Sequence, residues 1–115
     1  MLLADTNKIL LYYKTTDMRK SINGLSIIIS EDLGRNPTDG GIYVFYNKQY
    51  DKIKILYWYK NGFSLLYRRL EKQRFKLSQI MDKKMISYGE LVMIFEGVDI
   101  KKVRRFKPLK YNKFT

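Results

Sequence analysis

Lys54-Ile55-Leu56-Tyr57-Trp58-Tyr59-Lys60-Asn61-Gly62-Phe63-Ser64-Leu65-Leu66-Tyr67-Arg68-Arg69 decides the fold of this 115-residue chain. Two aromatic, β-rich runs flank Asn61-Gly62, and Asn-Gly between such runs is the strongest short hairpin signal, because a type I′ turn needs positive φ at both central residues. The run from Lys54 to Lys60 is therefore expected to pair with that from Phe63 to Arg69. This register sets Lys60 opposite Phe63, Trp58 opposite Leu65, Leu56 opposite Tyr67 and Lys54 opposite Arg69 on one face. Tyr57 with Leu66 and Ile55 with Arg68 fall on the other. Like charges directly opposite one another are unfavourable, so Lys54 facing Arg69 requires either a neighbouring carboxylate such as Glu71 or an anionic ligand.

Working outward, Ile53 to Tyr59 is preceded by the polar loop Asn47-Lys48-Gln49 and by Ile42 to Tyr46, a second strand. Ile9-Leu10-Leu11-Tyr12-Tyr13 is a further apolar run of strand length. Between them, Met18, Ile22, Leu25, Ile29 and Leu33 recur at helical spacing, which predicts an amphipathic helix from Asp17 to Gly34. Thr16 or Asp17 suits its N-cap, and Gly34 with Pro37 supplies its stop. Gly24 is costly inside a helix and implies a close approach to another element. Arg74-Phe75-Lys76-Leu77 alternates and reads as a fifth short strand. Ser87-Tyr88-Gly89-Glu90 has capping-box spacing, and a short second helix follows over Ser87 to Glu96, with Gly97 as its stop. The expected fold is one α+β domain over residues 1–100: a mainly antiparallel sheet of about five strands with one longer and one short helix. Residues 101–115 are expected to form a basic, flexible tail.

Charge is distributed unevenly. Against 23 Lys and Arg stand 11 Asp and Glu, a formal net charge of +12, with neither His nor Cys. Residues 1–51 carry six cations and six carboxylates, residues 52–100 ten and five, and residues 101–115 seven and none. A field of this sign on so small a body attracts polyanions, nucleic acid first. Hydrophobic content of 45% and 17 aromatic residues set the chain apart from disordered basic proteins. Without Cys and His, disulfides, thiolate nucleophiles, the usual proton shuttle and the commonest zinc ligands are excluded. No apolar run approaches membrane-spanning length, and Asp5 interrupts Met1-Leu2-Leu3-Ala4 before it can act as a signal core, so a cytoplasmic, nucleoid-associated protein without a membrane partner is expected.

Thr16-Asp17-Met18-Arg19-Lys20-Ser21 with Gly24-Leu25, Val44-Phe45, Lys54-Ile55-Leu56-Tyr57-Trp58, Asn61-Gly62-Phe63, Arg68-Arg69-Leu70-Glu71-Lys72 with Arg74-Phe75, and Phe95-Glu96-Gly97-Val98-Asp99 together resemble the accessory protein, TnpB type, of the insertion sequence 66 family. The order and spacing agree from about Ile9 to Arg105. Arg68 stands where Lys is frequent in that family, and the tail beyond Arg105 is individual to this chain. The resemblance implies a small helper encoded in a mobile element beside a separate transposase, unrelated to the RNA-guided nuclease also called TnpB. It supplies no catalytic residue.

Lys54, Lys60, Arg68, Arg69, Lys72, Arg74 and Lys76 lie on the hairpin and its continuation, interleaved with Tyr57, Trp58, Tyr59 and Tyr67. Cations that neutralise phosphates and aromatic faces that stack bases are the components of nucleic-acid surfaces. For the aromatics a place in the core is the favoured reading, and for the cations nucleic acid. Arg19 and Lys20 open the first helix, where cations oppose the dipole, so either DNA contact or an ion pair with Asp17 or Glu71 keeps them there. In the tail, Lys101, Lys102, Arg104, Arg105 and Lys107 are further phosphate contacts. Two-metal nuclease chemistry would need clustered carboxylates, and Asp17, Asp51 and Glu71 each have a cation close by. The sequence thus predicts a non-catalytic, cofactor-free accessory protein that binds DNA or a DNA–transposase complex. The alternatives are an adaptor docking on the transposase without DNA contact, and an RNA-binding module.

Overall fold

The strand Ile42-Tyr43-Val44-Phe45-Tyr46 is buried along its whole length, odd and even residues alike. Side chains alternate across a strand, so both faces of the sheet must be covered. The computed structural model, which describes residues 8–78 and 80–97, shows how. Five strands stand in the order β4-β3-β2-β1-β5: β1 is Ile9–Leu11, β2 Ile42–Tyr46, β3 Lys52–Tyr59, β4 Gly62–Arg69 and β5 Met85–Ile86. All pairings are antiparallel except β1 with β2, which are parallel.

On one face, Tyr43, Phe45 and Leu56 pack with Leu25 and Ile29 of the first helical segment. On the other, Val44, Tyr46, Ile53 and Ile55 pack with Phe75, Leu77, Ile80 and with Leu91 and Ile94 of α2 (Tyr88–Glu96). The result is an α+β fold of three layers with the sheet in the middle.

The hairpin forms at the predicted place but turns one residue earlier. Tyr59 pairs with Gly62, Trp58 with Phe63, Leu56 with Leu65 and Lys54 with Tyr67. The central turn residues are Lys60 (φ 47°) and Asn61 (φ 65°), and Gly62 is the first residue of β4. Every partner is displaced by two positions, which keeps each side chain on its expected face. The like-charge pair that results is Lys52 opposite Arg69, and both have a carboxylate: Asp51 at 3.4 Å and Glu71 at 2.6 Å.

The first helix is shorter than its apolar spacing implies. α1 covers Ile22–Ile27 with Ser21 at the N-cap position, and a wider π-helical turn, Ile28–Asp32, completes it. Met18, Ile22, Leu25, Ile29 and Leu33 nevertheless all face the same cluster. Asp32 ends the wide turn, accepting hydrogen bonds from the hydroxyls of Tyr12 and Tyr13. The close approach at Gly24 is made by the Lys20 side chain, which a Cβ would meet at 3.2 Å, rather than by another element.

Arg74 to Leu77 is extended and alternating but joins no strand: the Phe75 N–H donates to the Tyr50 carbonyl at 2.6 Å. The fifth strand is instead β5. Residues 101–115, and Val98 and Asp99, lie outside the described residues.

α2 carries the expected capping box: Glu90 N–H donates to Ser87 Oγ, and Ser87 N–H to the Glu90 carboxylate. Gly97 closes it with φ 79°. Burial raises the Glu90 pKa, but the hydrogen bonds from Lys83 and Ser87 outweigh it and leave the group below its ordinary 4.5. A lowered carboxyl pKa stabilises the fold above the unfolded value. Glu90→Gln should therefore destabilise the protein at neutral pH, and its difference from wild type in urea midpoint should shrink as pH falls below 4.5.

The two glycines give a sharper test of the turn. A Cβ at Gly62 meets nothing nearer than 3.9 Å, and its φ is not positive. Gly62→Ala should leave urea stability unchanged, whereas Gly97→Ala should cost about 1 kcal/mol.

Candidate nucleic-acid interface

The hairpin cations do not share one surface. Lys54 points inward from β3: it is 9% exposed, its Nζ donates to the carbonyls of Met18 and Lys20 at 2.7 Å each, and it lies 5.2 Å from the Tyr67 ring centre. Its register position opposite Tyr67, rather than Arg69, makes this possible. Lys54 is committed to the fold and is removed from the candidate surface. Arg68 lies on the α2 face, half-buried, with its guanidinium 5.6 Å from the Phe95 ring centre. Lys60 stands exposed at the turn, over Tyr59. An eight-residue strand, roughly 26 Å at ~3.3 Å per residue, separates it from Arg69.

At the opposite end of β3 and β4 the structure gathers the rest. The Leu70 N–H donates to the Asp51 carbonyl at 2.8 Å, and Phe75 N–H to Tyr50, so the 70–76 segment is tied to the β2–β3 turn. Lys72, Arg74 and Lys76 are exposed there. Among the described residues no carboxylate lies within ion-pair distance of Lys20, Lys72, Arg74 or Lys76. Lys101, Lys102, Arg104, Arg105 and Lys107 lie outside the described residues.

Arg19 is exposed and bound to Asp17, with Nη2 2.7 Å from the carboxylate, which holds the Asp17 pKa down to about 2. Of the two partners that the sequence offered, Asp17 is the one observed. Asp51, held by Asn47 at 2.6 Å and by Lys52, is likewise lowered. Glu71 pairs with Arg69. Among the described residues no group of three or more Asp or Glu comes together as a metal site, and no helix is long and apolar enough to cross a membrane.

The aromatics divide. Tyr57 is buried and Trp58 packs edge-on against Phe63 at 5.0 Å, whereas Tyr59 and Tyr67 are exposed. Beside Tyr67 lies a pocket of about 450 Å³ whose walls include Thr16, Arg19, Lys48 and Lys52. Lys48 and Lys52 were not singled out in the sequence; only the alignment of the 47–49 loop with the 15–19 segment, invisible to local pattern, shows them beside Arg19.

A small basic sheet protein with an exposed cationic end is the class thus defined. The chain belongs to the IS66 Orf2-like family: the family described as "IS66 Orf2 like protein" matches residues 7–105. This places it among the accessory proteins of insertion-sequence transposition. It is 30% identical over 104 residues to the uncharacterized protein y4jC of Sinorhizobium fredii, covering 90% of this chain and 88% of the relative. To the uncharacterized protein y4hO of the same organism it is 29% identical over 85 residues, 73% and 74% of the two chains. No solved structure matches the chain.

Removing Lys54 leaves two carbonyls without their donor. Lys54→Met, which keeps the apolar stem, should lower unfolding free energy in urea by about 2–3 kcal/mol.

Proposed function

We propose that this protein is a non-catalytic DNA-binding accessory factor of transposition. The observation that carries the reading is the cluster of Arg69, Lys72, Arg74 and Lys76 at one end of the sheet, three of them exposed without a carboxylate partner among the described residues. Arg19, Lys20, Lys48 and Lys52 extend that end toward α1, and Lys101, Lys102, Arg104, Arg105 and Lys107, outside the described residues, are proposed as further phosphate contacts. Lys60 is a separate, distal contact. Surface cations left unpaired at this density are positioned to displace counterions from a phosphate backbone. Among the described residues no recognition helix accompanies them, which favours contact with the backbone over base edges.

Titration of labelled duplex DNA at several salt concentrations tests this. The four cations of the cluster alone predict a loss of affinity of at least roughly 10²-fold over a fourfold rise in salt, and Arg74→Gln with Lys76→Gln should flatten the log–log slope by about two. Weak, salt-insensitive binding of the wild-type chain would overturn the reading. Retention of purified transposase after nuclease treatment would then favour an adaptor instead.

A further inference from the structure

Thr16 lines the 450 Å³ pocket beside Tyr67. Three cations, Arg19, Lys48 and Lys52, share its wall with one carboxylate, Asp17. Both Asp17 oxygens are already taken by Arg19, through its backbone N–H, Nε and Nη2. Lys52 also has Asp51 at 3.4 Å, and Asp51 is itself engaged by Asn47. The pocket is therefore net positive, the chemistry of a phosphate site.

Its rim carries the second component. Tyr67 is 49% exposed, and the Lys54 ammonium steadies its ring from 5.2 Å. Exposed tyrosine rings beside phosphate-binding cations are stacking platforms for unpaired bases. A duplex keeps its bases stacked inside and offers none to such a ring, and the pocket has the volume of a small-ligand site rather than of a groove for a helix.

We infer that this pocket holds one unpaired nucleotide of single-stranded DNA, its phosphate against the Arg19, Lys48 and Lys52 cations, its base on Tyr67. The inference rests on the DNA-binding reading above and adds to it a preference for unpaired strand, as at a frayed or nicked element end.

The test is fluorescence anisotropy on the full chain with a labelled single-stranded oligonucleotide and with a blunt duplex of the same sequence. Tyr67→Ala should weaken single-strand binding roughly 5- to 150-fold, the range for loss of one base stack. Tyr67→Phe should retain it, and both should leave duplex binding within about twofold. Tyr67→Leu, which keeps apolar cover beside Lys54 but presents no ring, should weaken the single strand selectively while leaving the urea midpoint at or near wild type. This variant carries the test should Tyr67→Ala fail to fold. Equal losses on both probes, or no loss on the single strand, overturn the pocket while leaving backbone binding intact. If wild type binds neither probe, both readings fall.

Discussion

One ammonium group holds the two sides of the candidate surface together. Lys54 Nζ leaves water to bind the Met18 and Lys20 carbonyls, a cost that these short bonds and the Tyr67 ring offset. In a regular helix the Met18 carbonyl would accept from Ile22 N–H; directed at Lys54, it leaves the chain outside the helix until Ser21. The 17–20 segment is thus drawn onto the sheet as a loop. Asp17 and Arg19 are set at the sheet's end, next to Lys48 and Lys52, because this loop is pinned there. The buried cation thus adds a polar link between the β3–β4 ribbon and the segment before α1, beside the bond from Thr16 N–H to the Tyr46 carbonyl.

The charge of +12 consequently has several physical fates. Lys54 and Arg68 are absorbed into the protein's layers. Lys14, Arg19, Arg35, Lys52, Arg69 and Lys83 each stand against a carboxylate, pairs that are mostly exposed and worth little to stability. Of the exposed remainder, Lys48, Lys72, Arg74 and Lys76 gather where the β2–β3 turn meets the 70–76 segment. Net charge alone distinguishes none of these, since a sequence gives a cation's presence but not its neighbours across the sheet.

The layers were legible because faces follow from periodicity. Met18, Ile22, Leu25, Ile29 and Leu33 do line one core, and Asn61-Gly62 does mark a hairpin. What periodicity hides is which backbone groups are otherwise engaged. Lys54 draws off the carbonyls before α1, and a π-helical turn follows it, so an apolar stripe of the right spacing spans less α-helix than expected. A two-residue turn moved by one leaves the alternating pattern intact, so only long-range pairing reveals that Lys60 takes the positive φ. Arg74 to Leu77 alternates because Phe75 and Leu77 are buried, not because the segment is paired. β5, only two residues long, has no period to read. The site was legible as charge and illegible as a pocket, because its walls come from three separate stretches of chain.

The parallel pairing of β1 with β2 bears on how the chain assembles. β2, β3 and β4 close through short connections, whereas β1 meets β2 only across residues 12–41. Loop closure of that length costs more entropy, which favours the three-stranded meander forming ahead of β1. Until β1 docks, Ile42-Tyr43-Val44-Phe45-Tyr46 is an uncharged sheet edge of high β-propensity, the kind that recruits a second chain. Ile9, Leu10 and Leu11 thus act as a gatekeeper against aggregation: three residues made before the strand they must cover.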